Sequence, residues 1–338
     1  MTDEKSPATT SEPASGPARD PERIFPLTPF HGAKPSAPGW FDAALAAPRV
    51  DGTVEVAGAP IRWRRWGAAD EDAPPRRGLL FVHGGLAHLG WWDFIAPFFT
   101  DAWRPAALSL SGMGGSGWRE RYRMPTYADE ALAAAEAAGL FEADAPPLVV
   151  GHSFGGFVTL AAAALHGGRF GGAVVADSPI RFDDKGAPRA QPRRRGGKVY
   201  PDAAAALARF SLLPNQDCPN LFIIDHIARG ALRPAVGSET GEDGREGVSW
   251  AHDPDLWVKR EVVDEQPVDA IRSAACPLAF LRGARSALVT DERWADLAAV
   301  VPADAPRVSI PEAVHHLMLD QPLAFVAALR ALLSAWPR

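Results

Sequence analysis

From Val50 to Trp66 the chain alternates apolar and polar residues about Gly58 (VDGTVEVAGAPIRWRRW), the pattern of an antiparallel hairpin with one face turned to a core. The regime then changes. Four short apolar runs follow, Leu79–Val82, Ala106–Leu110, Leu148–Val150 and Ala173–Ala176, each ending in a turn rich in Gly, Ser or Asp. Runs that are apolar throughout suit strands covered on both faces, as in a parallel sheet. Between them lie helical stretches: Tyr127–Leu140, Ala-rich and periodic, and Phe157–Leu165, which continues directly from a Gly turn. Strand, turn, helix, strand is the grammar of βαβ units, so the predicted class is α/β, with a mostly parallel central sheet flanked by helices.

The pattern breaks from Arg181 to about Ala275, where basic, Pro-rich and Gly-rich pieces surround shorter helical segments at Pro201–Leu213 and Asn220–Leu232. This stretch reads as an inserted, mainly helical cap or lid. Sheet grammar returns with Pro277–Leu281, a helix near Glu292–Val300, a strand at Arg307–Ile310 and a last helix around Leu323–Leu333. The predicted organisation is a discontinuous core, residues 45–180 and 276–338, interrupted by a cap at 181–275. Residues 1–30, rich in Pro, Ser, Thr and Ala, are predicted to form a disordered tail.

Composition narrows the function classes. With 47% hydrophobic positions in 338 residues the chain can bury a sizeable core, and a formal charge of −6 gives no basic field to hold nucleic acid or an anionic membrane surface. The two cysteines, Cys218 and Cys276, are too few for a disulfide scaffold and lack CxxC spacing. No early segment has the basic start and apolar run of a signal peptide, and no window approaches 18 uninterrupted apolar residues, so a cytoplasmic protein with a small-molecule partner is the expectation.

The chemistry concentrates in the turns. Gly151-His152-Ser153-Phe154-Gly155, between an apolar run and a helical one, is a G-x-S-x-G nucleophile elbow. A sharp strand-to-helix turn there exposes the Ser153 hydroxyl, and small neighbours let the backbone pass closely. An oxyanion formed from an attacked carbonyl needs preorganised N–H donors. Phe154 offers one at the helix start. His83-Gly84-Gly85-Leu86 follows an earlier strand where a second is required, with Gly85 first and Leu86 next as candidates, while His83 is read as orienting that loop. A serine also needs an imidazole to take its proton. His315, in the turn after the last strand, is best placed; His316, His88 and His152 are less so, since His152 adjoins Ser153 and points the other way.

The acid that would orient His315 has two candidate places. Asp177 directly follows the run ending at Ala176, giving the order Ser153, Asp177, His315. The turn after Leu278–Leu281 offers Ser286 and Ala287 where a carboxylate would be needed; Asp291 and Glu292 lie nearby, but after Thr290 they read as a helix start. In these motifs, together with SGMGGS, DSP and VHHLMLDQPLAF, residues 50–338 resemble the α/β-hydrolase family, specifically its serine-hydrolase branch with a cap between sheet strands six and seven. The resemblance implies Ser153 as nucleophile, His315 as base, Gly85 and Phe154 as oxyanion donors, and no cofactor. It departs from the family pattern after strand seven, where the acid is missing; some members carry it after strand six, which Asp177 matches.

Other patterns weigh less. Gly112–Gly117 (GMGGSG) fits G-x-G-x-x-G, but WRERYRMP follows in place of a helix start and no acid-ending strand comes about 20 residues later. No H-E-x-x-H or paired Cys/His spacing marks a metal site, and the basic run Arg193-Arg194-Arg195 with Lys198 reads as a solvated loop. Trp91, Trp92, His152, Phe210 and Trp257 are candidates for a substrate pocket. The reading is hydrolysis of a carboxylic ester or related acyl bond in a small, largely apolar substrate, through an acyl-enzyme. Its rivals are other chemistry on the same residues, such as cleavage of C–C bonds, lactones or amides, or perhydrolysis, and a receptor that binds a small ligand without turnover.

Overall fold

The computed structural model describes residues 24–67, 75–180, 197–236, 246–261 and 267–336. Helix α1 (Gly39–Leu45) leads into the hairpin of β1 (Arg49–Val56) and β2 (Ala59–Trp66). Ala57 and Gly58 both take positive φ, 44° and 76°, the tight turn that matches the twist of paired strands. Then come β3 (Gly78–Val82), β4 (Arg104–Leu108), α2 (Met124–Ala137), β5 (Leu148–His152), α3 (Phe154–His166) and β6 (Gly172–Ala176). The insertion carries α4 (Ala203–Leu207), α5 (Leu221–Gly230), β7 (Leu232–Val236), β8 (Glu246–Trp250) and α6 (Leu256–Lys259). Helix α7 (Pro267–Ser273), β9 (Leu278–Gly283), α8 (Asp291–Ala298), β10 (Arg307–Ile310), α9 (Leu317–Asp320) and α10 (Pro322–Ser334) complete the chain.

Eight strands form one sheet in the order β1-β2-β4-β3-β5-β6-β9-β10, parallel from β4 onward and antiparallel at the β1–β2 edge. This is the α/β architecture expected. The fully apolar runs behave as two-faced strands: Leu79, Phe81, Leu148, Val150, Val174, Ala279 and Leu281 feed one core, and Leu80, Val82, Val149, Val175, Leu278 and Phe280 feed the other. Each fully buried Leu, Val or Phe contributes roughly 1.5–3 kcal/mol. Helices α5 and α10 cover the first face, α2 and α3 the second. Among the described residues no helix is long and apolar enough to cross a membrane.

Several expectations need correction. The expected tail runs to residue 30, but Leu27 is buried in the first core, Phe30 packs on it, and the Thr28 hydroxyl donates to the Ala208 carbonyl at 2.9 Å; residues 1–23 and the basic run at 193–195 lie outside the described residues. The helix expected over Pro201–Leu213 is only α4, capped by the Asp202 side chain and ended at Leu207. The mainly helical insertion also holds an antiparallel pair, β7 with β8. Pro234 within β7 hides it from pattern reading, yet a two-stranded ribbon tolerates the missing donor. Helix α7, placed with the cap, instead packs Ile271 into the core beside α3.

Candidate active site

Register sets the stage. Val82, Gly151, Val175 and Phe280 stand in one row across β3, β5, β6 and β9, so the turns that follow open at the same edge of the sheet. Ser153 sits in the turn after β5 with φ 54° and ψ −116°, a left-handed conformation that a side chain rarely adopts and that aims the hydroxyl outward. The glycines make the turn possible: a Cβ on Gly151 would lie 2.1 Å from the Gly155 carbonyl oxygen, and one on Gly155 would lie 2.4 Å from that of His83. The turn is pinned at both ends. The Ser153 N–H donates to the Ala176 carbonyl at 2.8 Å, and the Ser178 hydroxyl donates to the Ser153 carbonyl at 2.8 Å.

A chain of hydrogen bonds runs from that serine. His315 Nε2 lies 3.0 Å from Ser153 Oγ, and His315 Nδ1 lies 2.8 Å from Asp177 Oδ1. A carboxylate only accepts, so Nδ1 carries the proton and the Nε2 lone pair faces the hydroxyl. Asp177 is buried and takes two further bonds, from the Gly283 N–H to Oδ2 at 2.7 Å and from the Ser286 hydroxyl to Oδ1 at 2.6 Å. The Ser286 hydroxyl thus occupies the turn after β9 and reaches back to the acid after β6. Asp291 stands apart: its side chain is 89% exposed and paired with Arg282. Asp291 and Glu292 lie in the first turn of α8, whose Arg293 N–H bonds the Thr290 hydroxyl.

The His315 turn is held by the insertion. Asp320 accepts the Val314 N–H at 2.9 Å and the Gln216 amide at 2.8 Å, and Gln216 Oε1 accepts the His316 N–H at 3.2 Å. Burial pushes the Asp320 carboxyl above its usual range. From the other side His152 Nε2–H donates to the His315 carbonyl at 2.9 Å, so His152 braces the turn rather than facing away idle. Burial holds His152 and His316 well below the ordinary imidazole range, and both are neutral.

The oxyanion candidates meet above the serine. A Cβ on Gly84 would touch the His152 ring and Ser153 Cβ, and one on Gly85 would lie 3.6 Å from Phe154 Cβ, so the HGG loop lies directly over the elbow. Phe154 opens α3, and its N–H has no carbonyl one turn earlier to bond. Leu86 is different. Its N–H donates to Met113 Sδ at 3.1 Å, which removes it from the oxyanion candidates and gives the Gly112–Gly117 loop a supporting place. His83 is neutral, pushed down by burial to about 3; its Nε2 accepts the Leu110 N–H and Nδ1–H faces the Gly84 carbonyl, so it fixes the loop.

The pocket candidates separate. The Trp257 ring lies against Gly85 and edge-on to Phe154 at 5.5 Å, and Trp91 lies 5.4 Å from the His316 ring and stacks beside His152. Trp92 is fully buried and stacks on Phe81 at 4.8 Å, a core residue. Phe210 packs against Trp250 within the insertion. Sequence spacing shows no metal pattern, yet one ring nitrogen each of His152, His315 and His316 falls within 4.8 Å of the other two. Only tertiary structure brings position 152 to 315 and 316.

Among curated proteins none matches the sequence. Solved structures do. The chain is similar to an E-2-(acetamidomethylene)succinate hydrolase (20% identity, TM-score 0.68, 85% of this chain and 100% of the other). It is likewise similar to the thioesterase domain of a curacin biosynthetic pathway (20%, 0.63, 85% and 100%) and to an esterase of Mycobacterium tuberculosis (21%, 0.62, 92% and 98%). Such likeness speaks for the fold. The profile of the alpha/beta hydrolase family matches residues 79–329, and this chain belongs to that family.

Proposed function

We propose that the protein is a serine hydrolase that cleaves a carboxylic ester or related acyl bond of a small, largely apolar substrate. The observation that carries this reading is the continuous hydrogen-bonded chain Asp177–His315–Ser153 at the mouth of the elbow. Ser153 Oγ attacks the acyl carbon while its proton passes to His315 Nε2; the tetrahedral oxyanion rests on the N–H groups of Phe154 and Gly85. His315 then gives that proton to the departing alcohol, leaving an acyl-serine. Water repeats the sequence with His315 as base and frees the acid. Asp177 holds the imidazole in the productive tautomer. Trp257 and Trp91 flank the acyl site and Trp92 does not. No step calls for a cofactor, and neither nucleic acid nor a membrane is a partner in this reading.

The similar structures include an esterase, a thioesterase domain and an E-2-(acetamidomethylene)succinate hydrolase, so thioester, lactone, amide and C–C substrates belong in the same screen. The test is labelling of Ser153 by a fluorophosphonate together with burst release of p-nitrophenol from short acyl esters. Ser153→Ala is expected to abolish labelling and cut turnover by about 10⁴-fold or more. Retention of full esterase activity by that variant overturns the reading. Binding of a small apolar ligand without turnover of any substrate in the panel supports a receptor instead.

A further inference from the structure

Three imidazoles converge at the site, and the proposed hydrolysis uses only one. His152 spends Nε2–H on the His315 carbonyl, which leaves its lone pair at Nδ1, buried and without a hydrogen-bond partner. His316 is buried and makes no well-formed hydrogen bond at either ring nitrogen, although the Leu213 and Pro214 carbonyls face its ring. An orphaned buried polar atom costs about 1–3 kcal/mol, so a free ring nitrogen beside a second poorly bonded imidazole asks what the cluster serves. His315 adds the Nε2 lone pair that faces Ser153. We infer that His152, His315 and His316 form a binding site for a zinc-class dication, which inhibits the enzyme reversibly by occupying the lone pair that activates Ser153.

The donor set fits that class. Imidazole suits Zn²⁺, Cu²⁺ and Ni²⁺, whereas Mg²⁺ and Ca²⁺ need the oxygen ligands this cluster lacks. One nitrogen from each ring already lies within 4.8 Å of the others. Zn–N bonds of about 2.0–2.1 Å in a tetrahedron put the nitrogens about 3.3 Å apart, so the rings close by up to about 1.5 Å. The ion exchanges hydration water for three ring nitrogens while keeping one water. The Asp177 bond to His315 Nδ1–H remains and orients that ring, as carboxylates do behind zinc-bound histidine. What is lost is the bond from the Ser153 hydroxyl to Nε2.

This inference rests on the hydrolase reading only for its inhibitory half, and the experiment separates the two. The full chain, stripped with a chelator and dialysed, is titrated with Zn²⁺ in competition with a chromophoric chelator, and in parallel for p-nitrophenyl acetate turnover. The expected result is one tight Zn²⁺ per chain, inhibition reversed by EDTA, and no inhibition by Mg²⁺ or Ca²⁺ at the same concentrations. His316→Gln weakens both Zn²⁺ binding and inhibition at least tenfold, each measured against that variant's own uninhibited rate; His166→Gln, a histidine paired with Asp129 elsewhere, changes neither. Should His316→Gln fail to fold, the visible bands of Co²⁺ bound to the wild-type chain report four-coordinate ligation by three nitrogens and a water. Equal Zn²⁺ affinity in wild type and His316→Gln, equal inhibition by Mg²⁺, or octahedral Co²⁺ bands overturns the site. Zinc binding through His316 without turnover of any substrate in the panel would sink the hydrolase reading and leave the site standing.

Discussion

Asp177 takes three hydrogen bonds at its carboxylate, from His315, Ser286 and Gly283. Asp177→Asn keeps the shape but presents an amide donor to Nδ1, which flips the imidazole to the wrong tautomer; a fall of about 10⁴ in turnover is expected. Ser286→Ala removes one hydrogen bond to a charged group, about 1.5–3 kcal/mol at most, and is expected to slow turnover about ten- to a hundredfold. Asp291→Asn, on the exposed start of α8, is expected to leave kcat/KM unchanged, and a loss equal to that of Asp177→Asn would move the acid to Asp291. At this scale the motif residues were legible because their chemistry is local: a G-x-S-x-G turn says where the hydroxyl points. Leu86 was misread because what occupies its N–H is a thioether 27 residues away. The role of Ser286 was visible only as a gap, a hydroxyl where a carboxylate was sought.

Elements were legible in proportion to their periodicity. The buried strands Leu79–Val82 and Ala173–Ala176 and the strand Arg307–Ile310 emerge close to their observed bounds, because an unbroken apolar run or a clean alternation leaves few alternatives. The β7–β8 ribbon, with a Pro in one strand and Gly247 in the other, carried no such signal. Helix α3 shows how tightly two elements can depend on each other. Gly155 on α3 meets the carbonyl oxygens of Val82 and His83 at the end of β3, and a Cβ there would come within 2.4–2.5 Å of backbone that cannot yield. Gly155→Ala is therefore expected to push α3 off β3, lower Tm by several degrees through about 1–3 kcal/mol of overpacking, and abolish fluorophosphonate labelling. Thermal unfolding together with labelling checks both halves, and an unchanged Tm with full labelling would contradict this packing.

Over the whole molecule, insertion and core are joined by polar contacts as well as by apolar ones. His88 in the core gives Nε2–H to the Ile227 carbonyl of α5 at 2.9 Å and accepts the Gly90 N–H at Nδ1. Asp93, which burial alone would push up, is held below the usual carboxylate range by His226 of α5 and by Arg64. Burial keeps His83 at about 3 and His88 at about 4, both under the ordinary value near 6.5. Below pH 6.5 the unfolded chain therefore binds protons that the folded chain refuses, and stability falls as pH drops from about 6.5 toward 4, by up to about 1.4 kcal/mol per pH unit for each histidine. Asp93 adds its loss only below about pH 4. Tm is expected to drop by several degrees between pH 7 and pH 5, and a flat Tm over that range would contradict the neutral burial of His83 and His88.

Ser153 and Asp177 leave neighbouring strands at one level of the sheet, and both precede the insertion, while His315 comes from beyond it. Synthesis therefore delivers the three in unequal order. A nascent chain, or a fragment, that stops short of residue 315 holds its serine and its acid in adjacent turns but has no imidazole between them. In the proposed mechanism its hydroxyl is then an ordinary alcohol, and the serine gains its base only when the far side of the insertion returns to the sheet.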